Sequence, residues 1–377
     1  MDARAPVAPP YVAGPFRLDT FRGMMLAPSR VGAPSAARVF ARPFSEVADR
    51  LAKWEKRGDV HHDPEPAVYL HEYTAGGLTV RGLVGALDLR RRADSPEQRV
   101  VLPHEGIHLD QVSDLAERML AMQVNPAPIL LVHRGPKKTR KLVRNLLKTD
   151  PDQEFTDRSD QRHRLWAIRS PDLLATLEEA LAGCRPLIAD GHHRYAAYLR
   201  MQEAAPGQPP AHGTEHGLAM LVDQDDTPMF LGAIHRVLTG TSIDAFRAAA
   251  RGHGEFRSLT EATALAALAP DTLVVTDGTD WGAIRLYLGA SPAAVEVLHQ
   301  QLLPELERPP RRIAYHHSVE DTLSALPAKG AVAVLMPAPD YDLVRRAVTG
   351  ERLLPEKATS FQPKPSIGVL MRSLRDG

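Results

Sequence analysis

The chain has 377 residues, of which 44% are hydrophobic and 24% charged, and its 46 Lys and Arg are matched by 46 Asp and Glu. That length exceeds what one hydrophobic core spans and predicts two or three domains or subdomains. The charge balance argues against a sequence-independent nucleic-acid binder, which needs a basic excess. The single cysteine, Cys184, excludes an intrachain disulfide and a Cys-rich metal site, and reads as a small residue packed before an apolar run. No window approaches the ~18 consecutive apolar residues of a membrane span. The Pro/Ala-rich stretch Met1–Tyr11 lacks the features of a signal peptide, so a soluble cytoplasmic protein is expected.

In chain order, the segment to about Ala36 reads as irregular. A helix is predicted over Val39–Lys56, because Phe44, Val47, Leu51 and Trp54 recur on one helical face. Ala67–Tyr73 and the residues from Leu78 to Leu89 read as a hairpin turning at Ala75-Gly76-Gly77. Asp114–Met122 is predicted helical and Pro128–Val132 a buried strand. The basic run Lys137–Lys148 carries an amphipathic helix, Thr139–Leu147, whose charges read as a solvated face. A strand over Arg162–Ile168 follows, then a helix Pro171–Ala182 capped by Ser170 with Pro171 in its first turn. Next come a strand Arg185–Ala189, a polar block, and a helix Tyr195–Glu203. Ala204–Glu215 is rich in Pro and Gly and is expected to be mobile. Leu218–Val222 and Met229–Ile234 are expected to pair. Beyond Ser242 helices and strands alternate: Ile243–Ala250, Thr272–Thr276, Ala283–Leu288, Ala331–Met336 and Asp340–Val348, with no internal repeat.

The block Asp190-Gly191-His192-His193-Arg194-Tyr195 lies between an apolar strand and a helix. Backbone N–H groups at a helix start, with the helix dipole behind them, favour an anion. Gly191 permits a positive φ or close approach of a ligand. Arg194 can grip phosphate oxygens, the two histidines can donate to them, and Asp190 can hold a metal ion or an incoming hydroxyl. Adjacent histidines do not converge on one metal, so no protein-only zinc site is expected. Bringing four ionisable residues to the edge of a core for helix capping alone is costly, which favours a phosphate-handling turn.

Two further blocks are weaker. In Leu102-Pro103-His104-Glu105-Gly106 the glutamate is a general base or an exposed loop charge. The Pro-framed tail Pro355–Pro365 carries Lys357 and Lys364, which could close over an anion, although a solvated loop is the better reading of it. His235-Arg236, after a strand, is a similar candidate.

Taken together, Ile188–Tyr195 closely resembles the hallmark of a bacterial and archaeal family known as DUF1015. Val101–Glu105, Gln161–Ile168, His235-Arg236, Pro355–Lys364 and Ile367–Leu370 match it in order, so the resemblance runs from about Asp63 to Leu374. That family in turn resembles the free-serine kinases of the ParB/sulfiredoxin-like fold. The resemblance implies a mixed α/β (α+β) chain. Residues 1–95 would form an N-terminal helix-and-hairpin extension, 96–240 the nucleotide-binding core, and 241–377 a C-terminal αβ subdomain with a closing tail. It also implies that Glu105, beside His104, is the base on a substrate hydroxyl, and that Asp190, Gly191, His192, His193 and Arg194 receive nucleotide phosphates. Two features depart from the pattern. An insertion, 137–184, separates the His-Glu block from the turn, and Leu26–Arg30 replaces the family's usual Ala-Pro-Pro-Tyr-Asp-type motif.

The expected function is phosphate transfer from ATP or ADP, with Mg2+, to the hydroxyl of a small metabolite. The alternative is a nucleotide-binding regulatory module of the ParB-like type. DNA binding through the Lys137–Lys148 helix ranks last, because net charge is zero. A small-molecule substrate and a nucleotide are the expected partners, with no membrane, and a homo-oligomer stays open.

Overall fold

The computed structural model describes residues 6–33, 47–203, 213–289 and 293–376. It is a mixed α/β fold whose contacts sort the chain into two compact units. The first comprises Met1–Pro103, Ile107–Met229 and Pro363–Gly377; the second comprises His104–Gly106 and Phe230–Gln362.

The first unit is organised on an eight-stranded sheet. Its strands run in the order Leu187–Asp190, Ile129–His133, His216–Asp223, Leu78–Asp88, Val68–Ala75, Arg162–Ile168 and Gln153–Thr156, with Leu18–Asp19 also pairing to Leu78–Asp88. Every pairing is antiparallel except His216–Asp223 with Ile129–His133. Ile129–His133 is buried at all five positions and Val68–Tyr73 at all six, the signature of strands covered on both faces. The hairpin between Ala75 and Leu78 closes on Gly76 and Gly77 with φ of 56° and 80°. Two consecutive positive φ values make the type I′ turn that matches strand twist, which is why two glycines stand there. The 137–184 segment adds the Gln153–Thr156 and Arg162–Ile168 strands to one edge. It also contributes two helices packed on each other, Lys137–Leu146 and Pro171–Leu181. A smaller four-stranded sheet joins Val60–His62, Gly23–Leu26, Met371–Ser373 and Val124–Asn125.

The second unit is a six-stranded antiparallel sheet in the order Gly254–Leu259, Trp281–Leu286, Thr272–Thr276, Ala331–Leu335, His235–Thr239 and Arg312–His316. Ala264, Val274, Trp281 and Leu335 form part of its core, with Leu259, Leu265, Val319 and Leu323 packed around them. A separate two-stranded ribbon pairs Phe230–Gly232 with Ser360–Gln362.

The structure differs from the sequence expectations at several points. Leu218–Val222 does not pair with Met229–Ile234. Both edges of His216–Asp223 are already taken by Leu78–Asp88 and Ile129–His133, so Phe230–Gly232 finds its partner in Ser360–Gln362. The helix expected from Asp114 begins at Leu109, because Val112 continues the buried face of Ala116 and Met119. The helix expected from Tyr195 begins at His192, immediately after the left-handed Gly191. Ser170 precedes its helix but its side chain makes no capping bond. Of the Val39–Lys56 helix, Val47–Lys56 is helical and the remainder lies outside the described residues, as does most of Ala204–Glu215. Cys184 is half-buried, and burial pushes its thiol up to about 11, which leaves it a poor nucleophile. No described helix is long and apolar enough to cross a membrane.

Gly217 shows how closely the helix behind the sheet is packed. A Cβ there would lie 2.3 Å from Cδ2 of Tyr198. We expect Gly217→Ala to cost about 1–3 kcal/mol through forced displacement of that ring. Urea unfolding measures it, and an unchanged midpoint would contradict the packing described.

Candidate functional site

Asp190 ends the Leu187–Asp190 strand, and the helix His192–Gln202 begins two residues later. A strand can pass so abruptly into a helix only through an unusual backbone. Gly191 supplies it with φ 96° and ψ 30°, and its carbonyl accepts the first helical bond from the Tyr195 N–H at 2.8 Å. The helix is nearly all buried, through Tyr195, Ala196, Ala197, Tyr198, Leu199 and Met201, and packs against Leu109–Met122. Its first turn therefore stays at a fixed place on the sheet, with N–H groups that have no partner within the helix.

Asp190 is gripped from two sides. Arg194, one helical turn on, donates from Nη2 to Oδ2 at 2.7 Å, and Lys364 Nζ pairs with Oδ1. Burial pushes the carboxyl upward, but the charges and hydrogen bonds of Arg194 and Lys364 outweigh it and hold Asp190 below the usual carboxylate range. Arg194 is itself braced, because Nη1 donates to the carbonyls of Pro128 at 2.8 Å and Ala127 at 3.2 Å. The guanidinium is thus committed to Asp190 and the backbone rather than presented as an open fork. His193 Nε2 accepts from the His108 N–H at 3.0 Å, which puts the ring proton on Nδ1. The two imidazoles stack with centroids 5.9 Å apart and planes 9° from parallel. His192 is buried. Beside the Asp190–Arg194–Lys364 group lies a cavity of about 360 Å³ with apolar walls from Leu115, Pro126, Pro128, Leu130 and Ile367.

Lys364 reaches Asp190 because its segment is clasped to the sheet edge. Tyr73 Oη donates to the Pro363 carbonyl at 2.6 Å. Gln161 holds both sides of the strap: its Nε2 donates to the Lys364 carbonyl at 3.0 Å, and its Oε1 accepts from the Ser366 N–H at 3.1 Å. Asp157 bonds the Ser366 side chain and also anchors a buried line, in which His163 Nε2 lies 3.1 Å from its Oδ2 and His71 Nε2 lies 3.0 Å from His163 Nδ1. Burial lowers the proton affinity of both histidines, so the line is Asp157 carboxylate, neutral His163, neutral His71. Sequence reasoning missed Gln161 and this line. The signal available was the polar insertion of Gln161 and His163 in an otherwise strand-like segment.

The other expected residues belong to the second unit. His104 Nε2 lies 2.7 Å from Thr359 Oγ1, and the His104 carbonyl accepts from Leu354 N–H at 2.7 Å. Glu105 Oε1 accepts from the backbone N–H groups of Ala358 at 3.1 Å and Thr359 at 3.4 Å. Burial is the largest influence on this carboxyl and pushes it up to about 7, against those two donors and the charge of Lys357. A carboxyl with that proton affinity exchanges its proton near neutral pH, as a general base must. Lys357 sits in the same loop with φ 58°, its carbonyl bound by Arg236 Nη2 at 2.9 Å. His235 Nδ1 accepts from Met336 N–H at 3.0 Å, and burial lowers the ring to about 4, so it is a neutral strand-fixing residue. Lys357 and Lys364, read together as a closing tail, fall in different units. Among the described residues no group of three or more His, Cys, Asp or Glu is arranged to hold a metal ion.

A left-handed glycine between a strand-end aspartate and a His-His-Arg helix start, in a mixed α/β chain, is the feature that defines this strand–turn–helix junction. The particular family is shown by comparison: the model described as "Protein of unknown function (DUF1015)" matches residues 28–302, and the chain belongs to that family. No curated protein matches the sequence. Among solved structures, the chain is similar to a variant of free serine kinase in complex with ADP, at 15% identity and a TM-score of 0.42, over 72% of this chain and 89% of that one. It is also similar to C-terminally truncated SbnI from Staphylococcus aureus, at 12% identity, TM-score 0.42, and 72% and 84% coverage. A conserved hypothetical protein from Pyrococcus furiosus gives 14% identity, TM-score 0.41, and 74% and 93% coverage.

Gly191 tests the turn itself. A Cβ would meet Ile129 Cγ2 at 3.0 Å and Arg194 Nη2 at 3.1 Å, in a backbone conformation that L-residues avoid. Gly191→Ala should cost about 1–2 kcal/mol in unfolding free energy. The same change at Gly58, which has positive φ but nothing near its Cβ, separates backbone strain from crowding. Equal losses at both positions would show that the neighbours of Gly191 contribute nothing.

Proposed function

We propose that the protein is a nucleotide-dependent phosphotransferase acting on the hydroxyl of a small metabolite, built on a core related to the ParB/sulfiredoxin-like free-serine kinases. The observation that carries this reading is the left-handed Gly191, which opens a buried helix at His192 with an ionised Asp190 on one side and Arg194 on the other. Helix-start N–H groups and the positive end of the dipole suit phosphate oxygens, and His193 Nδ1–H adds a donor in the same turn. Arg194 serves this site by holding Asp190 charged and in place. Lys364, on a partly exposed strap, is the cation that phosphate oxygens can draw away from Asp190.

Mg2+ fits this residue set only as a partner of the nucleotide. Asp190 offers one carboxylate, whose Oδ1 becomes available when Lys364 turns to phosphate, and Mg2+ characteristically keeps water and phosphate oxygens as its remaining ligands. When bound it would neutralise phosphate charge. Phosphoryl transfer otherwise asks the protein for positioning and electrostatics. In this reading the acceptor oxygen bonds to the transferred phosphorus as the bond to the nucleotide's bridging oxygen breaks. The hydroxyl proton passes to Glu105, whose elevated proton affinity suits it to receive it.

The test is a screen of ATP, ADP and CTP against small hydroxylated metabolites, following product mass. Glu105→Gln should lower turnover by about 10²-fold or more while nucleotide affinity stays within about twofold. With Glu105 as base, kcat/KM should rise with pH through an inflection at about 7, and Glu105→Gln should remove that limb. Arg194→Ala should weaken nucleotide binding about tenfold or more through loss of an ordered Asp190. If no nucleoside di- or triphosphate binds at millimolar concentration, the proposal fails. If nucleotide binds but Glu105→Gln changes nothing, the chain is a nucleotide-binding switch instead.

A further inference from the structure

The smaller sheet of the first unit, which Met371–Ser373 completes, borders a cavity of about 520 Å³ whose walls share no residue with the Asp190 turn. Asp19, Arg22, His216, Arg372 and Asp376 line it, all of them in the first unit. Arg372 is 4% exposed, and its guanidinium is held from one side only. Nη1 donates to the Gly213 carbonyl at 2.9 Å, to the His216 carbonyl at 3.2 Å and to Asn125 Oδ1 at 3.3 Å. All three acceptors are neutral. Nε and Nη2 make no hydrogen bond among the described residues, yet neither is sealed from solvent. They form a donor pair fixed in place by the bonds behind it, in the geometry that a carboxylate matches with two parallel hydrogen bonds.

The charges on the cavity wall are balanced: the guanidinium groups of Arg22 and Arg372 stand against the carboxylates of Asp19 and Asp376. Asp19 has partners of its own, since His216 Nε2 lies 3.0 Å from its Oδ2 and Arg17 Nη2 lies 3.5 Å from its Oδ1. Asp376 is exposed, makes no ion pair among the described residues, and acts on Arg372 only through space. An anion entering alone would meet Asp376 as well as Arg372, and a cation alone would meet the reverse. A molecule that carries both charges can meet each with its opposite. We propose that this cavity binds a small zwitterion, its carboxylate on Nε and Nη2 of Arg372 and its ammonium on Asp376. The buried Phe21 and Ala86 supply apolar wall for the carbon skeleton between the two charges. This site does not depend on the phosphotransfer reading, and its binding assay needs no nucleotide.

Three zwitterions of increasing reach, glycine, β-alanine and γ-aminobutyrate, are the probes, with acetate and methylammonium as the single-charge halves. Isothermal titration of the full chain at constant ionic strength should give saturable one-to-one binding of at least one zwitterion, about tenfold or more tighter than either half. Asp376→Asn should weaken that zwitterion about tenfold and bring it level with acetate. Asp376→Lys should exchange the preference for a dicarboxylate, malonate or succinate. Because the Asp376 side chain is exposed and bonded to no described residue, both variants keep the fold, and Arg372 with its structural bonds stays intact. In the unmodified protein the ¹⁵N–¹H signal of one buried arginine Nε should shift with the zwitterion at the calorimetric affinity. Failure of all three zwitterions to bind at millimolar concentration overturns the proposal. So does acetate binding as tightly as the best zwitterion, or zwitterion binding that both Asp376 variants leave unchanged.

Discussion

One carboxylate, Asp190, is kept charged at the edge of a hydrophobic core by one cation close to it in sequence and one distant from it. Arg194 follows it by one helical turn; Lys364 arrives from the returning C-terminal segment. Remove that neutralisation and burial alone would favour a protonated acid, with no counter-charge for Arg194 among the two carbonyls that brace it. The left-handed Gly191, the buried helix behind it and the clasp on the C-terminal strap all serve to place these three groups. The 137–184 segment thereby acquires a role, since Gln161 and Asp157 from that segment fasten the strap that carries Lys364.

Glu105 is the opposite case. It too is half-buried and accepts hydrogen bonds, yet its donors are two backbone N–H groups and the main cationic influence on it is Lys357. Backbone dipoles stabilise a carboxylate less than a full guanidinium does, so desolvation prevails and the proton is held to near neutrality. Two carboxyls with similar burial thus acquire different proton affinities from their partners alone. That division is what lets one remain a fixed charge while the other trades a proton.

Much of this was legible in the sequence. The Gly191 turn followed from an apolar strand, a glycine and an immediately helical segment, and the Gly76-Gly77 hairpin from its two consecutive glycines. The candidate site residues stand out in the sequence as a polar block against an apolar one. What could not be read was which partners those side chains choose. Arg194 has the chemistry to grip phosphate, but nothing in its neighbours along the chain announces the Ala127 and Pro128 carbonyls. Likewise the pairing of Phe230–Gly232 with Ser360–Gln362 joins segments separated by more than a hundred residues, with no local pattern to mark it. Short strands such as Met371–Ser373 escaped for the same reason: three residues carry no period, and only the sheet around them defines them.

The returning C-terminal segment has a consequence for how the protein comes into being. The first unit is interrupted by nearly the whole of the second, and it recovers Pro363–Gly377 only after that second unit has been synthesised. A nascent chain released as far as Gln362 would hold every strand of the eight-stranded sheet but neither Lys364 nor the Met371–Ser373 strand that joins Gly23–Leu26 to Val124–Asn125. The Asp190–Arg194 turn would already be present in such a chain, with its aspartate held by Arg194 alone. The Asp190 cluster is therefore tied to synthesis of the segment beyond the second unit, and a chain cut short before Lys364 keeps the strands of the sheet but lacks one of the two cations on its aspartate.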